Sequence, residues 1–155
     1  MIDRFEHFSY AVSEISRYWH KLTAEEMERY GLRGTHCIYL VTMEKYPEGI
    51  TAPELCQFCH RDKADVSRMM SIMEKKGLVT KESVYQNRYK GVFKLTPEGA
   101  EVAKHVRLKA SYAVNYAGSD LTEENREIFY ESLDSIMRNL HKLDEEGIPP
   151  YESLI

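Results

Sequence analysis

The sequence has little of what would tie it to export, haem, zinc or catalysis. Its 155 residues hold 3 cysteines, too few for a four-cysteine zinc site. In a reducing compartment they read as free thiols rather than disulfides. No apolar run approaches the roughly 20 residues needed to cross a bilayer. The opening MIDRFEHFSY carries acidic residues and no apolar h-region, so no secretory leader is expected and the expected location is the cytoplasm. His7, His20, His36, His60, His105 and His141 are scattered, with no i, i+4 pair, so neither a metal nor a cofactor is expected. A Gly-rich phosphate loop, a Ser/His/Asp order and a paired-carboxylate site are all missing, and no enzyme is expected. With 43% hydrophobic and 30% charged residues, no repeat and no low-complexity tract, one globular domain is the default.

The net charge of −4 argues at first against a nucleic-acid partner. Its distribution argues the other way. Residues 60–94 hold nine Lys/Arg against four Asp/Glu, while the rest of the chain holds twelve against twenty-one. A basic segment inside an acidic body is the more informative feature.

Periodicity organises the chain around that segment. Phe5, Phe8, Val12, Ile15, Trp19 and Leu22 recur at spacings of three and four, which predicts a helix over 4–29 with a narrow coiled-coil-type seam. Gly31 and Gly34 interrupt it. Thr35 is the expected N-cap of a second helix reaching about Tyr46. Thr51, Pro53 and Glu54 open a short third helix with a capping box. Asp62 caps a fourth that runs to Lys76 and closes at Gly77. Residues 79–84 and 92–95 then read as a β-hairpin around the polar turn YQNRYKG. Thr96-Pro97-Glu98 opens a fifth helix, with Ala103, Val106, Ala110, Ala113 and Ala117 on one side. Thr122 caps a sixth, with a second seam at Phe129, Leu133, Ile136, Leu140 and Leu143. Two such seams are more than one small domain needs, so a second chain is the expected partner.

Within this order, Cys56-Gln57-Phe58-Cys59-His60 matches the c-type haem signature, and its first four residues match a redox dithiol or half a zinc site. Its setting gives a plainer account. TAPELCQFC and DKADVSRMMSIMEKK are two helices joined by a tight turn and followed by a hairpin, a winged helix-turn-helix whose second helix enters the major groove. The spacing of Leu55, Cys59, Val66, Met69, Met70 and Met73 buries them between the helices. Cys56 and Cys59 are then small core hydrophobes, and His60 is the turn residue. Lys63, Ala64, Ser67 and Arg68 fall on the groove side.

Residues 50–79, ITAPELCQFCHRDKADVSRMMSIMEKKGLV, together with NRYKGVFKLTPEG over 87–99, resemble the helix-turn-helix and wing of the MarR family of transcription regulators. The flanking helices have the family's order and length. The resemblance implies a mainly α fold. Residues 1–34 and 97–155 would form a helical dimerisation region, and residues 35–96 the DNA-binding lobe. It implies a homodimer, in function a repressor, bound to a pseudo-palindromic site in double-stranded DNA and released by a small aromatic ligand. The DNA-contacting residues it implies are Thr51, Lys63, Ala64, Asp65, Ser67, Arg68, Lys75, Arg88, Tyr89 and Lys90. Three departures stand out, one of them Arg61 at a turn position that is generally apolar in the family. Tyr89 occupies the position of the family's wing arginine, leaving Arg88 or Lys90 to reach the minor groove. Asp65 replaces a small hydroxyl, and either accepts from a cytosine amino group or pairs with Arg61 or Arg68.

For the effector, Tyr10, Trp19, His36, Tyr39, Met43 and Tyr112 come from the helices that frame the family's pocket, and an apolar site with polar tips suits an aromatic ligand. Each is also an ordinary candidate for core. The alternative is a thiol- or metal-responsive regulator using Cys37, Cys56 or Cys59. Relatives that sense oxidants use a cysteine near the start of the first helix, and this chain has none before Cys37.

Overall fold

The computed structural model describes residues 3–83 and 91–154. In chain order its elements are α1 (Arg4–Glu28), α2 (His36–Met43), β1 (Ile50–Thr51), α3 (Ala52–Cys59), α4 (Lys63–Lys75), β2 (Val79–Ser83), β3 (Gly91–Leu95), α5 (Pro97–Ala117) and α6 (Glu123–Glu146), followed by a 3-10 turn at Tyr151–Ser153. The fold is mainly α, with a winged helix-turn-helix at α3, α4 and the β2/β3 pair. Two compact units divide the chain, residues up to Tyr112 and residues from Ala113 onward, with the boundary inside α5.

Local chemistry fixes the helix ends. At α3, Thr51 accepts from the Glu54 backbone N–H, and the Glu54 carboxylate accepts from the Thr51 N–H at 2.8 Å, completing the expected capping box. Asp62 accepts from the Asp65 N–H at 2.7 Å and starts α4. Between them His60 takes a left-handed conformation, φ 50°, which His tolerates better than a branched residue. The C-terminus of α4 closes on Gly77 at φ 72°. Gly77 N–H donates to the Glu74 carbonyl and Leu78 N–H to the Met73 carbonyl, the paired bonds of a Schellman turn.

Some expectations are corrected. Thr35 is itself helical, φ −61° and ψ −22°, and its side chain makes no capping bond. Backbone turns from His36 to Arg33 and from Cys37 to Gly34 take over that role. Helix α2 stops at Met43, short of Tyr46. The sheet has a third strand that the periodicity did not predict: β1 pairs antiparallel with β3 (Ile50 opposite Phe93, Thr51 opposite Val92), and β3 lies between β1 and β2. Residues 84–90, which hold Val84 of the expected strand and all of the expected turn YQNRYKG but Gly91, lie outside the described residues.

One core serves the first unit. Tyr39, Leu40 and Met43 from α2 pack with Leu55 and Cys59 of α3 and Val66, Met69, Met70 and Met73 of α4, roofed by Phe93 and by Val102, Ala103 and Val106 of α5. The six residues predicted to bury between α3 and α4 are all in it. Cys56 is half-buried at its edge. Arg107 of α5 donates to the Val41 carbonyl at 2.7 Å and pairs with Glu44, pinning α5 to the end of α2. In the second unit α6 is capped by Thr122 and ends at Gly147, and none of its residues is buried.

Candidate nucleic-acid interface

Helix α4 is two-faced. Val66, Met69, Met70 and Met73 are buried, whereas Lys63, Ala64, Ser67, Arg68 and Lys75 are exposed. The buried set lies at steps of three and four, so the fold forces the basic and small residues outward. Small side chains beside a basic one let the helix approach base edges closely, while lysines suit phosphates. Thr51 sits at the entry to α3, where its hydroxyl also donates to Glu54 at 2.7 Å, and it is therefore committed to the cap. Arg88, Tyr89 and Lys90 lie outside the described residues. On the described part of the wing, Lys94 pairs with Glu82 at 3.0 Å, and the Lys81 ammonium sits 5.4 Å from the centre of the Phe93 ring.

Asp65 faces inward as well as outward. One carboxylate oxygen accepts from an Arg68 guanidinium nitrogen at 2.7 Å, the intrahelical pairing that was one of the expected alternatives. The other accepts from the Tyr39 hydroxyl at 2.6 Å. The Tyr39 bond, opposed by burial and helped by Arg68, holds the Asp65 carboxyl below its ordinary value. Burial, then Asp65, pushes the Tyr39 phenol up. No local sequence signal could have given this link, because its partners lie 26 residues apart.

Residues 30–88 match the family model described as MarR family. Over that stretch, which is less than half of the chain, the helix-turn-helix lobe is similar to the MarR family. Solved structures of MarR regulators extend the likeness of fold to most of the chain. A MarR family transcriptional regulator from Listeria monocytogenes, solved with a 26-mer DNA, superposes with a TM-score of 0.78 at 21% identity, covering 97% of this chain and 99% of that one. The S. aureus MepR–DNA complex gives 0.77 at 19%, covering 86% and 97%. A MarR regulator from Methanosarcina mazei Go1 gives 0.74 at 21%, covering 89% and 99%. Comparison with curated proteins finds no match.

The six residues expected around a MarR-type effector pocket divide into two groups. His36, Tyr39 and Met43 are buried in the lobe core, whereas Tyr10, Trp19 and Tyr112 lie at the surface of α1 and α5. An open groove at Arg4, His7, Phe8 and Ala11 is lined by none of them. His36 is the most unusual of the six. Its Nδ1 accepts from the Arg33 N–H at 3.1 Å, while its buried Nε2 has no hydrogen-bond partner among the described residues. Burial holds the imidazole below its ordinary pKa.

The three thiols are free, with Cys37 and Cys59 buried. Burial pushes both of these up from the ordinary thiol value, the opposite of what a reactive thiolate needs. In the folded protein, a thiol-reactive chromogenic disulfide should label Cys56 first. Cys37 and Cys59 should react only at the rate of unfolding, and rapid labelling of either would point to a sensor. Among the described residues no group of three His, Cys, Asp or Glu side chains is placed to hold a metal. Nor, among the described residues, is any helix long and apolar enough to cross a membrane.

Proposed function

We propose that this protein is a cytoplasmic transcriptional repressor that binds a pseudo-palindromic operator in double-stranded DNA as a homodimer and is released by a small aromatic ligand. In this reading residues 1–34 and 97–155 form the dimerisation region, and residues 35–96 the DNA-binding lobe. One α4 enters each of two successive major grooves, with Lys63, Ala64, Ser67 and Arg68 toward base edges and Lys75 toward the backbone. The wing residues Arg88, Tyr89 and Lys90 reach the neighbouring minor groove. Tyr10, Trp19, His36, Tyr39, Met43 and Tyr112 supply the effector site.

The observation that carries this reading is the exposed basic and small-residue face of α4, held outward by a fully buried opposite face. The DNA-bound state of two structures sharing the fold supports it. A ligand acts only through its different affinity for two spacings of the recognition helices.

The test is fluorescence anisotropy on DNA from upstream of the protein's own gene, across a salt series with random DNA as competitor. Six to ten phosphate contacts predict a loss on the order of 10³-fold or more between about 50 and 200 mM salt. Tight, salt-steep, competitor-resistant binding is the expected result, and the same assay then screens aromatic acids for release. Flat salt dependence would remove DNA binding from the reading.

A further inference from the structure

Asp65 is an acidic side chain on the helix face proposed to meet DNA, where a carboxylate is repelled by phosphates. Its geometry gives it another task. Both of its oxygens are engaged, one by Arg68 and one by Tyr39. Its side chain is only 20% exposed, against 64% for Arg68. A carboxylate so occupied and so far withdrawn is a poor acceptor for a cytosine amino group. It is well placed to hold the arginine beside it.

We propose that Tyr39 and Asp65 are positioning residues for Arg68, so that an anchor in the lobe core fixes the guanidinium with which the recognition helix reads a guanine. The inference rests on the DNA-binding reading above and specifies its chemistry. An exposed i, i+3 ion pair alone is weak and mobile. Here the carboxylate is tied to a phenol on α2 whose residue has no solvent exposure. That ring cannot swing away without opening the core, so the carboxylate inherits its position. Asp65 contacts one terminal nitrogen of Arg68. A guanidinium has five N–H donors, which leaves others for the bidentate grip on guanine O6 and N7. Ordering the side chain beforehand removes part of the entropy cost of that grip.

The test is sequence selection from a random duplex DNA pool by the full-length protein, by Tyr39→Phe, by Arg68→Ala and by the double variant, followed by affinity measurements on the enriched site and its single-base variants. Tyr39→Phe removes one hydroxyl and no charge, so a salt slope equal to wild type and an intact thermal transition show that the dimer and its phosphate contacts persist. The expected wild-type result is a G·C pair in each half-site discriminated by about ten-fold or more. Arg68→Ala should abolish that preference, Tyr39→Phe should flatten it at the same base pair, and the double variant should lose no more than Arg68→Ala. A Tyr39→Phe protein that enriches the same site with undiminished discrimination would overturn the positioning role and leave the DNA reading standing. A wild-type protein that enriches no sequence would overturn the DNA reading, and this role with it.

Discussion

Gly99→Ala should cost roughly 3 kcal/mol or more and lower the thermal midpoint by on the order of 10 °C. A Cβ on Gly99 would lie 1.9 Å from the Leu78 carbonyl oxygen and 2.8 Å from its carbon. Both are backbone atoms, so no side-chain rotation relieves the contact. The peptide is also held in place. The Leu78 oxygen accepts from the Thr96 N–H at 3.0 Å. The Thr96 hydroxyl donates to the Gly77 carbonyl at 2.7 Å and accepts from the Gly99 N–H at 3.0 Å. One threonine and one glycine thus lock the end of α4 to the start of α5, which is the physical content of Leu-Thr-Pro-Glu-Gly in this chain. An added methyl must push α5 off that turn or break its bonds. Circular dichroism melts should show the drop, with the exposed Ala100→Ser changing stability by about half a kcal/mol. A Gly99→Ala protein as stable as wild type would mean that the junction yields more easily than its bonds imply.

The same junction shows why parts of the fold were legible in the sequence and others were not. Helices α3 and α4 announce themselves locally: Thr51 with Glu54, Asp62 and Gly77 are punctuation whose bonds span a few residues. The burial of Leu55, Cys59, Val66, Met69, Met70 and Met73 follows from helical spacing alone. Thr35 misled because a threonine before an apolar run looks like a cap, whereas the chain around Arg33 and Gly34 is already turning. The two-residue strand at Ile50–Thr51 is too short for a period-2 signal and exists only because β3 offers an edge. At the candidate interface, the outward face of α4 is the complement of its buried face and was readable for that reason. The Tyr39–Asp65 bond was not, since it depends on how α2 crosses α4. It joins Tyr39, expected at the effector pocket or in the core, to the helix that the proposal places in the groove.

Ile15→Glu and Leu140→Glu should each convert the protein to a monomer and weaken operator binding by on the order of 10³-fold. Within the first unit, Phe5, Val12, Ile15 and Leu22 stand exposed along one seam of α1. Within the second, Phe129, Ile136, Leu140 and Leu143 do so along α6. Contiguous apolar stripes of this kind suit an interaction surface, and the occupant in the proposed reading is a second copy of this chain. At about 25 cal/mol per Å² of apolar surface removed from water, covering them is the most economical use of the seams that the sequence builds. The wild-type protein should therefore sediment at twice the 18.1 kDa chain mass. A glutamate in the middle of either seam would bury an unpaired charge in the dimer, while leaving untouched the lobe core that holds α4 in shape. Each half-site would then be bound alone, without the effective concentration that the second recognition helix gains from the first. Analytical ultracentrifugation and anisotropy on the same operator separate the steps. Variants that stay dimeric would show that the seams are not the interface. Monomeric variants with undiminished affinity would show that a single lobe suffices, and the two-fold reading of the operator would fall.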